Sequence, residues 1–271
     1  MTGFRNILTK LYMAKNMYTP HTAVKEIMSS PKNKDAHHSK NKESIPNLVD
    51  IFRDQVLPKF PPIFHEWFLE TFPEPSRWLS SRKIYATSVA TMSMVGYIVG
   101  LGDRHGENIL FDENTGGCLH VDLNWYCSAE SSLFEKGLEF EVPEKVPFRL
   151  THNMVDAFGV TGVEGRFRKS CEVSLNILRT NRGMLTAVLE TFLHDPLCEW
   201  SKSKHAMKST VSDQENQKAI KILDNIDRKL QGYSISIGLP LSAQGQVSTL
   251  IEQATDLKNL SGMYIGWGPY L

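Results

Sequence analysis

The sequence predicts a mainly α-helical lobe of the α+β class, with a short β element at its centre and helices in its C-terminal tail. Apolar residues recur at helical spacing through much of the chain, and two short strand-like runs flank Gly116 and Gly117. With 271 residues, 41% of them hydrophobic, the chain is long enough to bury a sizeable core.

The first quarter of the chain predicts short helices separated by a polar loop. Residues 4–28 alternate apolar and basic segments and predict one or two helices. Residues 29–44 lack an apolar period and predict a loop, in which His37 and His38 have no acidic or cysteine partner at helical spacing for a metal. Residues 45–79 are rich in aromatic rings and interrupted by prolines, which predicts short helices packed in a core.

A long helix is predicted from Arg82 onward, and we interpret it as buried. Residues 84–101 contain no charged side chain and include Gly96 and Gly100, a small-residue spacing also found in membrane helices. The segment also holds several Ser and Thr residues and runs directly into a polar string at Gly102. A core helix is therefore favoured over a membrane span.

Amphipathic helices are predicted over the C-terminal half. Gly183 is predicted to end one helix, and residues 187–200 to form the next. Ser212 predicts the N-cap of a helix that Gly232 ends, and residues 242–260 predict a last helix. The apolar faces of three of these helices comprise Phe167, Cys171, Leu175 and Leu178, then Ile220, Leu223, Ile226 and Leu230, and finally Val247, Leu250, Ile251, Ala254 and Leu257.

The composition argues against several classes of protein. Basic and acidic residues balance at 30 each, so direct nucleic-acid binding is not expected. The four cysteines form no CxxC pair, which argues against a zinc or disulfide framework and fits a reducing compartment. Residues 1–18 hold no continuous apolar core, so a secretory signal is not supported.

Polar residues of the kind used in phosphoryl transfer surround the predicted hairpin, whose strands are the runs 108–111 and 119–123. Asp103 and Asn108 are separated by four residues, and Asp122 stands at the end of the second run. Phosphoryl transfer requires a carboxylate to accept the proton of the attacking hydroxyl and oxygen ligands to hold Mg²⁺ on the triphosphate. The spacing alone is common, but the complete string GDRHGEN followed by VDLN is much more specific.

Longer strings carry a family resemblance. The segments GLGDRHGENILFD and HVDLN resemble the phosphatidylinositol-kinase-related protein kinases, whose catalytic loop reads D-R-H-x-x-N and whose metal motif begins with Asp. The segments PPIFHEWFLETFPEP, EKVPFRLTHNMVDAFG, EGRFRKSCEVSLNILR, TFLHDPLCEWSK and MYIGWGPYL resemble the ATR-type branch of that family. The resemblance covers residues 4–271.

The resemblance implies a protein-kinase-like C-lobe over residues 1–200, a polar linker and regulatory helix over 201–238 and a FATC tail over 239–271. The catalytic loop would span residues 102–110 and the activation segment residues 122–147. In this family the FATC tail packs on the C-lobe and supports the activation segment.

The resemblance also implies a role for each site residue. Asp103 would be the catalytic base, His105 the stabiliser that faces the phosphate, and Asn108 and Asp122 the residues that bind ATP through Mg²⁺, with Mn²⁺ as an alternative ion. The implied reaction is ATP-dependent transfer of phosphate to Ser or Thr followed by Gln in protein substrates. Implied partners are checkpoint regulatory proteins, in nuclear signalling of DNA damage and replication stress, and neither a membrane nor direct contact with nucleic acid is expected.

The sequence departs from the family pattern in three ways. No Gly-rich loop and no strand lysine with a helix glutamate precede the catalytic loop, so the N-lobe is expected to be missing and ATP binding to be severely impaired. Leu123 replaces the usual Phe, with a modest expected effect. Residues 126–132 are extra and either displace the substrate-facing backbone or reflect an error in the coding sequence; Cys127 within them is expected to be a passive exposed thiol.

Two other functions compete with a protein kinase. One is a catalytically inactive C-lobe remnant that acts as a protein-binding module. The other is an inositol lipid kinase, which the charges of the activation segment argue against because a negative segment repels an anionic headgroup. The charged residues counted there are Glu130, Glu135, Glu139, Glu141 and Glu144 against Lys136 and Lys145.

Four residues near the motifs have roles that the pattern alone leaves open. Arg104 either contacts phosphate or forms a salt bridge that orders the loop. His152 is expected to be a hydrogen-bonded structural histidine. Trp267 and Tyr270 are expected to pack against the lobe rather than dock a partner or a membrane.

Overall fold

Helices dominate the structure, a computed structural model that describes residues 1–15, 17, 20–29, 45–122, 144–193, 211–233 and 239–271. The strands are β1 (Thr2–Gly3), β2 (Ile109–Phe111) and β3 (Cys118–His120). The α-helices are α1 (Phe4–Ala14), α2 (Pro20–Ser29), α3 (Ile45–Ile51), α4 (Phe64–Thr71), α5 (Pro75–Val99), α6 (His152–Asp156), α7 (Arg166–Thr180), α8 (Arg182–Leu193), α9 (Val211–Gln231), α10 (Ala243–Thr255) and α11 (Leu257–Ser261). The predicted mainly helical α+β class is confirmed.

The strands form one antiparallel sheet in the order β1-β2-β3. Thr2 pairs with Phe111, and Ile109 pairs with His120, so the predicted hairpin is confirmed. The second strand ends at His120, earlier than the sequence predicts. Asp122 has a φ of 53°, and this left-handed conformation cannot continue a β-ladder.

Gly116 seats the hairpin turn against α5. Its φ is 76°, and a Cβ at this position would lie 3.0 Å from both the Cβ and the main-chain oxygen of Ser81. It would also lie 3.1 Å from the Phe68 ring. Glycine therefore meets both the conformational and the spatial requirement.

An aromatic cluster joins three helices and one strand of the lobe. The Phe64 ring lies 5.1 Å from Phe4, 5.0 Å from Phe111 and 5.8 Å from Tyr85, centroid to centroid. Edge and tilted ring contacts of this kind add to the stabilisation gained from apolar burial. The cluster holds α1, α4, α5 and β2 together, as the aromatic content of this region predicts.

Helix α5 is the central support of the lobe. The Glu74 carboxylate accepts hydrogen bonds from the main-chain N–H groups of Ser76 (3.2 Å) and Arg77 (2.7 Å), and Pro75 occupies the first turn. The helix therefore begins before the predicted Arg82. It ends at Gly100, whose φ of 75° is typical of a glycine C-cap. Within the described ranges, no helix has the length and apolar character that crossing a membrane requires.

The predicted end of α7 is wrong. Phe167, Cys171 and Leu175 are buried on one face of this helix, as predicted. The helix ends at Thr180, where the Asn181 side chain donates to the main-chain oxygen of Ile177 at 2.8 Å. Gly183 lies inside α8, which begins at Arg182 and is described only to Leu193.

Helix α9 differs from its prediction at both its start and its apolar face. It already includes Val211, so Ser212 lies inside the helix rather than at its N-cap. Ile220 is 65% exposed, and Ile222 is buried in its place beside Ile226 and Leu230. The sequence also contains Thr210-x-x-Asp213, a second capping-box spacing two residues earlier, and this pattern is compatible with a helix that includes Val211.

The last predicted helix is divided in two at Asp256. The Ser242 hydroxyl caps α10 by accepting from Gly245 N at 3.1 Å, as the predicted start of this helix requires. Asp256 adopts an extended conformation and its carboxylate accepts from Lys258 N at 3.1 Å, which begins α11. An aspartate favours such caps over helix interiors, and this preference explains the break.

The final residues pack against the lobe. Trp267 and Tyr270 are both buried, and the Tyr270 ring lies 5.1 Å from that of Phe60. The expectation for these two side chains is confirmed. The predictions for His37 and His38, for Leu123, and for the extra segment with Cys127 concern residues outside the described ranges.

Candidate active site

The loop between α5 and β2 folds back on itself around Asp103. Asp103 has a φ of 57°, and its main-chain oxygen accepts a 3.0 Å hydrogen bond from the side-chain nitrogen of Asn108. The main-chain nitrogen of Asn108 donates to His105 O at 3.0 Å. Asn108 is thereby oriented with its amide nitrogen engaged, which leaves its amide oxygen as the group available to a ligand.

The ring of His105 is oriented by its neighbours in the loop. Its Nδ1 accepts from the main-chain N–H of Glu107 at 3.2 Å. The neutral ring therefore carries its proton on Nε2. This atom lies 3.8 Å from Oδ2 of Asp103. The loop thus places a hydrogen-bond donor beside the predicted catalytic carboxylate.

Asp122 is held next to this loop through the backbone. Val121 N donates to Asn108 O at 3.0 Å, which joins the end of the hairpin to the loop that carries Asp103 and Asn108. Asp122 itself is exposed at the surface. The structure therefore brings the loop carrying Asp103, His105 and Asn108 against the segment carrying Asp122.

Arg104 is the buried connector between the two segments. Its guanidinium donates to the main-chain oxygens of Gly102 (2.7 Å), Val121 (2.9 Å) and Asp122 (2.6 Å). These contacts order the loop through main-chain oxygens, and they test neither of the two roles considered from the sequence, a phosphate contact and a salt bridge. The planar fork of an arginine suits several carbonyls at once, but the sequence carries no signal that identifies the acceptors.

Glu144 joins the loop that carries Asp103 and Arg104 to the C-terminal tail. Its Oε1 accepts from Arg104 N at 3.1 Å and from the Trp267 indole nitrogen at 2.8 Å. Burial raises the pKa of this carboxyl, although both hydrogen bonds oppose the shift. Counting Glu144 among the charges that would repel a headgroup was wrong, because its carboxyl faces inward.

Arg149 holds the tail from the inside of the lobe. Its guanidinium is fully buried and donates to Trp267 O at 2.7 Å and to Gly268 O at 2.6 Å. It also lies 4.2 Å from the centre of the Trp267 ring. Burial lowers its pKa to about 9, so the group remains charged at neutral pH. Nothing in the sequence pattern distinguishes this arginine from a surface one.

Two histidines near the site have structural surroundings. Burial, together with the charge of Arg104, lowers the pKa of His120 to about 4, so this ring is neutral at pH 7. His152 Nε2 donates to Phe60 O at 2.8 Å, and burial lowers its pKa. The expectation of a hydrogen-bonded structural role for His152 is confirmed.

The donor set fits a hard divalent cation such as Mg²⁺. Asn108 offers an amide oxygen and Asp122 a carboxylate, and oxygen ligands of these kinds are the ones that Mg²⁺ prefers. Across the described ranges, no group of three or more His, Cys, Asp or Glu side chains is placed to hold a metal. A cation bound by these two residues would accordingly have its remaining coordination positions filled by oxygens of water and phosphate.

Comparison with known proteins gives two family matches. Residues 2–202 match the family described as phosphatidylinositol 3- and 4-kinase, and residues 240–271 match the FATC domain. Among curated proteins, the protein kinase rad3 of Schizosaccharomyces pombe is 50% identical over 267 residues, which are 98% of this chain and 10% of rad3. The serine/threonine-protein kinase ATR of Arabidopsis thaliana is 51% identical over 221 residues, which are 82% of this chain and 8% of that protein.

Solved structures give the same picture of the fold. The structure described as the FAT and kinase domain of CtTel1 superposes with a TM-score of 0.78 at 30% identity, over 99% of this chain and 17% of that one. This chain therefore spans about a tenth of the length of the curated relatives above, and less than a fifth of this solved chain.

Proposed function

The chain belongs to the phosphatidylinositol 3- and 4-kinase family, and we propose that it forms the catalytic C-lobe and tail of a serine/threonine protein kinase. The observation that carries the proposal is the closed loop in which the Asn108 side chain binds Asp103 O at 3.0 Å. Arg104 ties that loop to Asp122. These contacts support the proposal because they join the segment that carries the proposed base, donor and first oxygen ligand to the segment that carries the second ligand.

Each site residue has a role that its surroundings favour. The Asp103 carboxylate accepts the proton of the attacking Ser or Thr hydroxyl and orients that oxygen. The Nε2–H of His105 donates to oxygen atoms of the phosphoryl group as negative charge develops on them. Both side chains remain partly exposed, with 28% and 25% of their side-chain surface accessible.

The remaining two residues hold the nucleotide. Asn108 and Asp122 would bind ATP through Mg²⁺, with Mn²⁺ as an alternative ion of the same ligand preference. When bound, this ion neutralises charge on the triphosphate. Since Asn108 is 7% exposed and held by a hydrogen bond, its oxygen is already positioned before any ligand arrives.

The substrate class and setting follow from the family rather than from the site. The names of rad3 and ATR as protein kinases support protein substrates. We extend the proposal to Ser/Thr-Gln sites, to checkpoint regulatory proteins as partners, and to nuclear signalling of DNA damage and replication stress. The division into a C-lobe (1–200), a linker with a regulatory helix (201–238) and a FATC tail (239–271) belongs to the same proposal.

Mg-ATP binding to the purified chain tests the site. We expect any binding detected by calorimetry to be lost in Asp122→Ala and retained in Asp224→Ala, an exposed aspartate of α9 far from the motifs in sequence. Equal binding by both variants would show that Asp122 does not contribute to Mg-ATP binding. Absence of binding in all three proteins would assign nucleotide binding to the longer kinases that this chain resembles, and phosphate transfer by the intact protein then distinguishes a kinase from a protein-binding module without catalysis.

Substrate choice requires the intact protein. We expect phosphate transfer from ATP to a peptide with Ser followed by Gln, weaker transfer when Gln is replaced by Ala, and none to phosphoinositide vesicles. Transfer to the vesicles in preference to the peptide would replace the protein-kinase proposal with a lipid-kinase one.

A further inference from the structure

Four helices meet at a partly buried polar junction beside the last turn of α5. One side chain comes from each helix: Tyr97 from α5, Arg179 from α7, Lys229 from α9 and Gln246 from α10. Tyr97 and Gln246 are 7% and 1% exposed. None of the four takes part in the proposed chemistry. Arg179 and Lys229 are partly buried, and the deeply buried polar groups of Tyr97 and Gln246 are costly unless they are satisfied.

Lys229 is the unusual member of this junction. Its ammonium nitrogen donates to the main-chain oxygen of Tyr97 at 2.8 Å and lies 4.8 Å from the centre of the Tyr97 ring. The described residues place no carboxylate within ion-pair distance of it. Burial lowers its pKa to about 8. The enclosed cation is therefore stabilised chiefly by a carbonyl and a ring.

The carbonyl that Lys229 binds belongs to the last turn of α5. Carbonyl groups of a last helical turn lack helical partners, and a cation there also interacts favourably with the helix dipole. Tyr97 O additionally accepts from Gly100 N at 3.3 Å, and Leu101 N donates to Gly96 O at 2.8 Å. Lys229 thus binds the turn that leads directly into Asp103.

The other side of the junction extends to α10. Gln246 Nε2 donates to Lys229 O at 3.1 Å and approaches the Tyr97 hydroxyl at 3.4 Å, while its Oε1 accepts from Arg179 at 2.7 Å. The end of α9 is joined to the segment before α10 because Leu241 N donates to Gly232 O at 2.9 Å. The position of α9 and α10 is therefore coupled to the end of α5.

From this geometry we infer that Lys229 is a positioning residue, which holds the last turn of α5 and thereby sets the position of the catalytic loop. The inference rests on the proposed function, because it assigns catalysis to the loop beginning at Asp103. Lys229 acts through the backbone of Tyr97 and touches neither substrate nor nucleotide. Helix α9 therefore does more than cover apolar surface, because it also holds the end of α5 through Lys229.

The test is Lys229→Met in the intact protein, with Lys221→Met on the exposed face of the same helix as the matched control. Methionine keeps the length of the side chain and removes both the donor and the buried charge. We expect kcat to fall about tenfold with KM for ATP and peptide unchanged, because small displacements of catalytic groups slow the reaction more than they weaken binding. We also expect faster amide hydrogen exchange at residues 100–108, and a melting temperature no lower than that of the wild type.

Each other result decides against the inference. Wild-type kcat together with wild-type exchange at residues 100–108 would overturn it, and so would a clear fall in melting temperature, which would assign the lysine to the fold alone. Exchange is measured without any assay of activity. An intact wild-type protein that transfers no phosphate would contradict the proposed function, while faster exchange in Lys229→Met would still support the mechanical coupling.

Discussion

Arg104 donates a 2.6 Å hydrogen bond from its guanidinium to the main-chain oxygen of Asp122. The two residues come from separate segments, and this contact helps to hold the loop that carries Asp103 against the segment of the proposed metal ligand. A short, charge-assisted hydrogen bond in a buried place is among the stronger contacts that a backbone carbonyl can make. The proposed site therefore depends on an arginine that joins its two segments through their main-chain oxygens.

Replacing Arg104 with lysine is expected to damage both stability and activity. One ammonium cannot reproduce the fork that reaches Gly102, Val121 and Asp122. We expect a loss of about 2–3 kcal/mol in the free energy of unfolding and a fall in kcat/KM of about 100-fold. Urea unfolding and steady-state kinetics measure the two effects. Arg53→Lys, at an exposed ion pair, is the control, and equal behaviour of the two variants would contradict the role of Arg104.

Glycine substitutions at Asp103 and Asp122 are expected to separate activity from stability. Both aspartates have positive φ angles, 57° and 53°, which favour glycine. Each substitution should abolish phosphate transfer, while the free energy of unfolding stays the same or rises by up to about 1 kcal/mol. Kinase assays and thermal unfolding of each variant provide the measurement. A destabilised Asp122→Gly variant would show that the aspartate side chain supports the fold.

Glu144→Gln is expected to change how stability depends on pH. The raised pKa means that the folded protein holds this proton more tightly than the unfolded chain does. The contribution of Glu144 to stability is thus fully present below the ordinary carboxyl pKa and is lost as pH rises through the raised value. Relative to the wild type, Glu144→Gln should therefore become more stable as pH rises through this range.

Chemical unfolding at a series of pH values measures this difference. Glu164→Gln is the control, because Glu164 is an exposed partner of Arg168 and should not produce the same trend. Identical pH profiles for the wild type and Glu144→Gln would show that the Glu144 carboxyl is not buried in solution.

Arg149→Met is expected to release the tail. The carbonyl oxygens of Trp267 and Gly268 lose their donor, at an expected cost of about 3 kcal/mol. Hydrogen exchange at residues 263–271 should accelerate markedly. Arg168→Met removes contacts with Glu164 and with the Ser248 hydroxyl but none with residues 263–271, and should leave this exchange unchanged. Deleting residues 263–271 should likewise accelerate exchange near Glu144, which loses the Trp267 indole.

Gly116→Ala is expected to destabilise the hairpin turn, in contrast to Gly117→Ala. The added Cβ at Gly116 would meet Ser81 at 3.0 Å in a backbone conformation with positive φ, whereas at Gly117 the nearest atom is the Thr115 hydroxyl at 3.3 Å. We expect losses of about 2–3 kcal/mol for Gly116→Ala and under about 1 kcal/mol for Gly117→Ala. Thermal denaturation should rank the two variants in that order, and the reverse order would contradict the close approach of Gly116 to Ser81.

Sequence patterns predicted the parts of the fold that depend on local rules. The hairpin around Gly116 and the buried face of α7 follow from periodicity and turn chemistry. Helix ends were less predictable, because a glycine is only one of several ways to end a helix. Helix α7 was predicted to end at Gly183, but it ends at Thr180, where the Asn181 side chain binds the Ile177 carbonyl. The last predicted helix is interrupted at Asp256, whose carboxylate caps a new helix.

The support around the site was not predictable for a different reason. Asp103, His105, Asn108 and Asp122 stand in short strings whose residue types indicate chemistry. Arg149, Glu144 and Lys229 gain their importance only from contacts with residues that are distant in sequence, such as Trp267 and Tyr97. No periodicity or spacing signals a contact between segments so far apart.

The dependence of the site on Trp267 has a consequence for synthesis of the protein. Arg149 leaves the ribosome 118 residues before Trp267, its main-chain acceptor. Until then, the Arg149 guanidinium lacks the main-chain oxygens of Trp267 and Gly268, and Glu144 lacks its indole partner, and each missing contact costs stability. A chain interrupted before Trp267 would retain these costs permanently, so incomplete products should open readily and become substrates for cellular proteolysis.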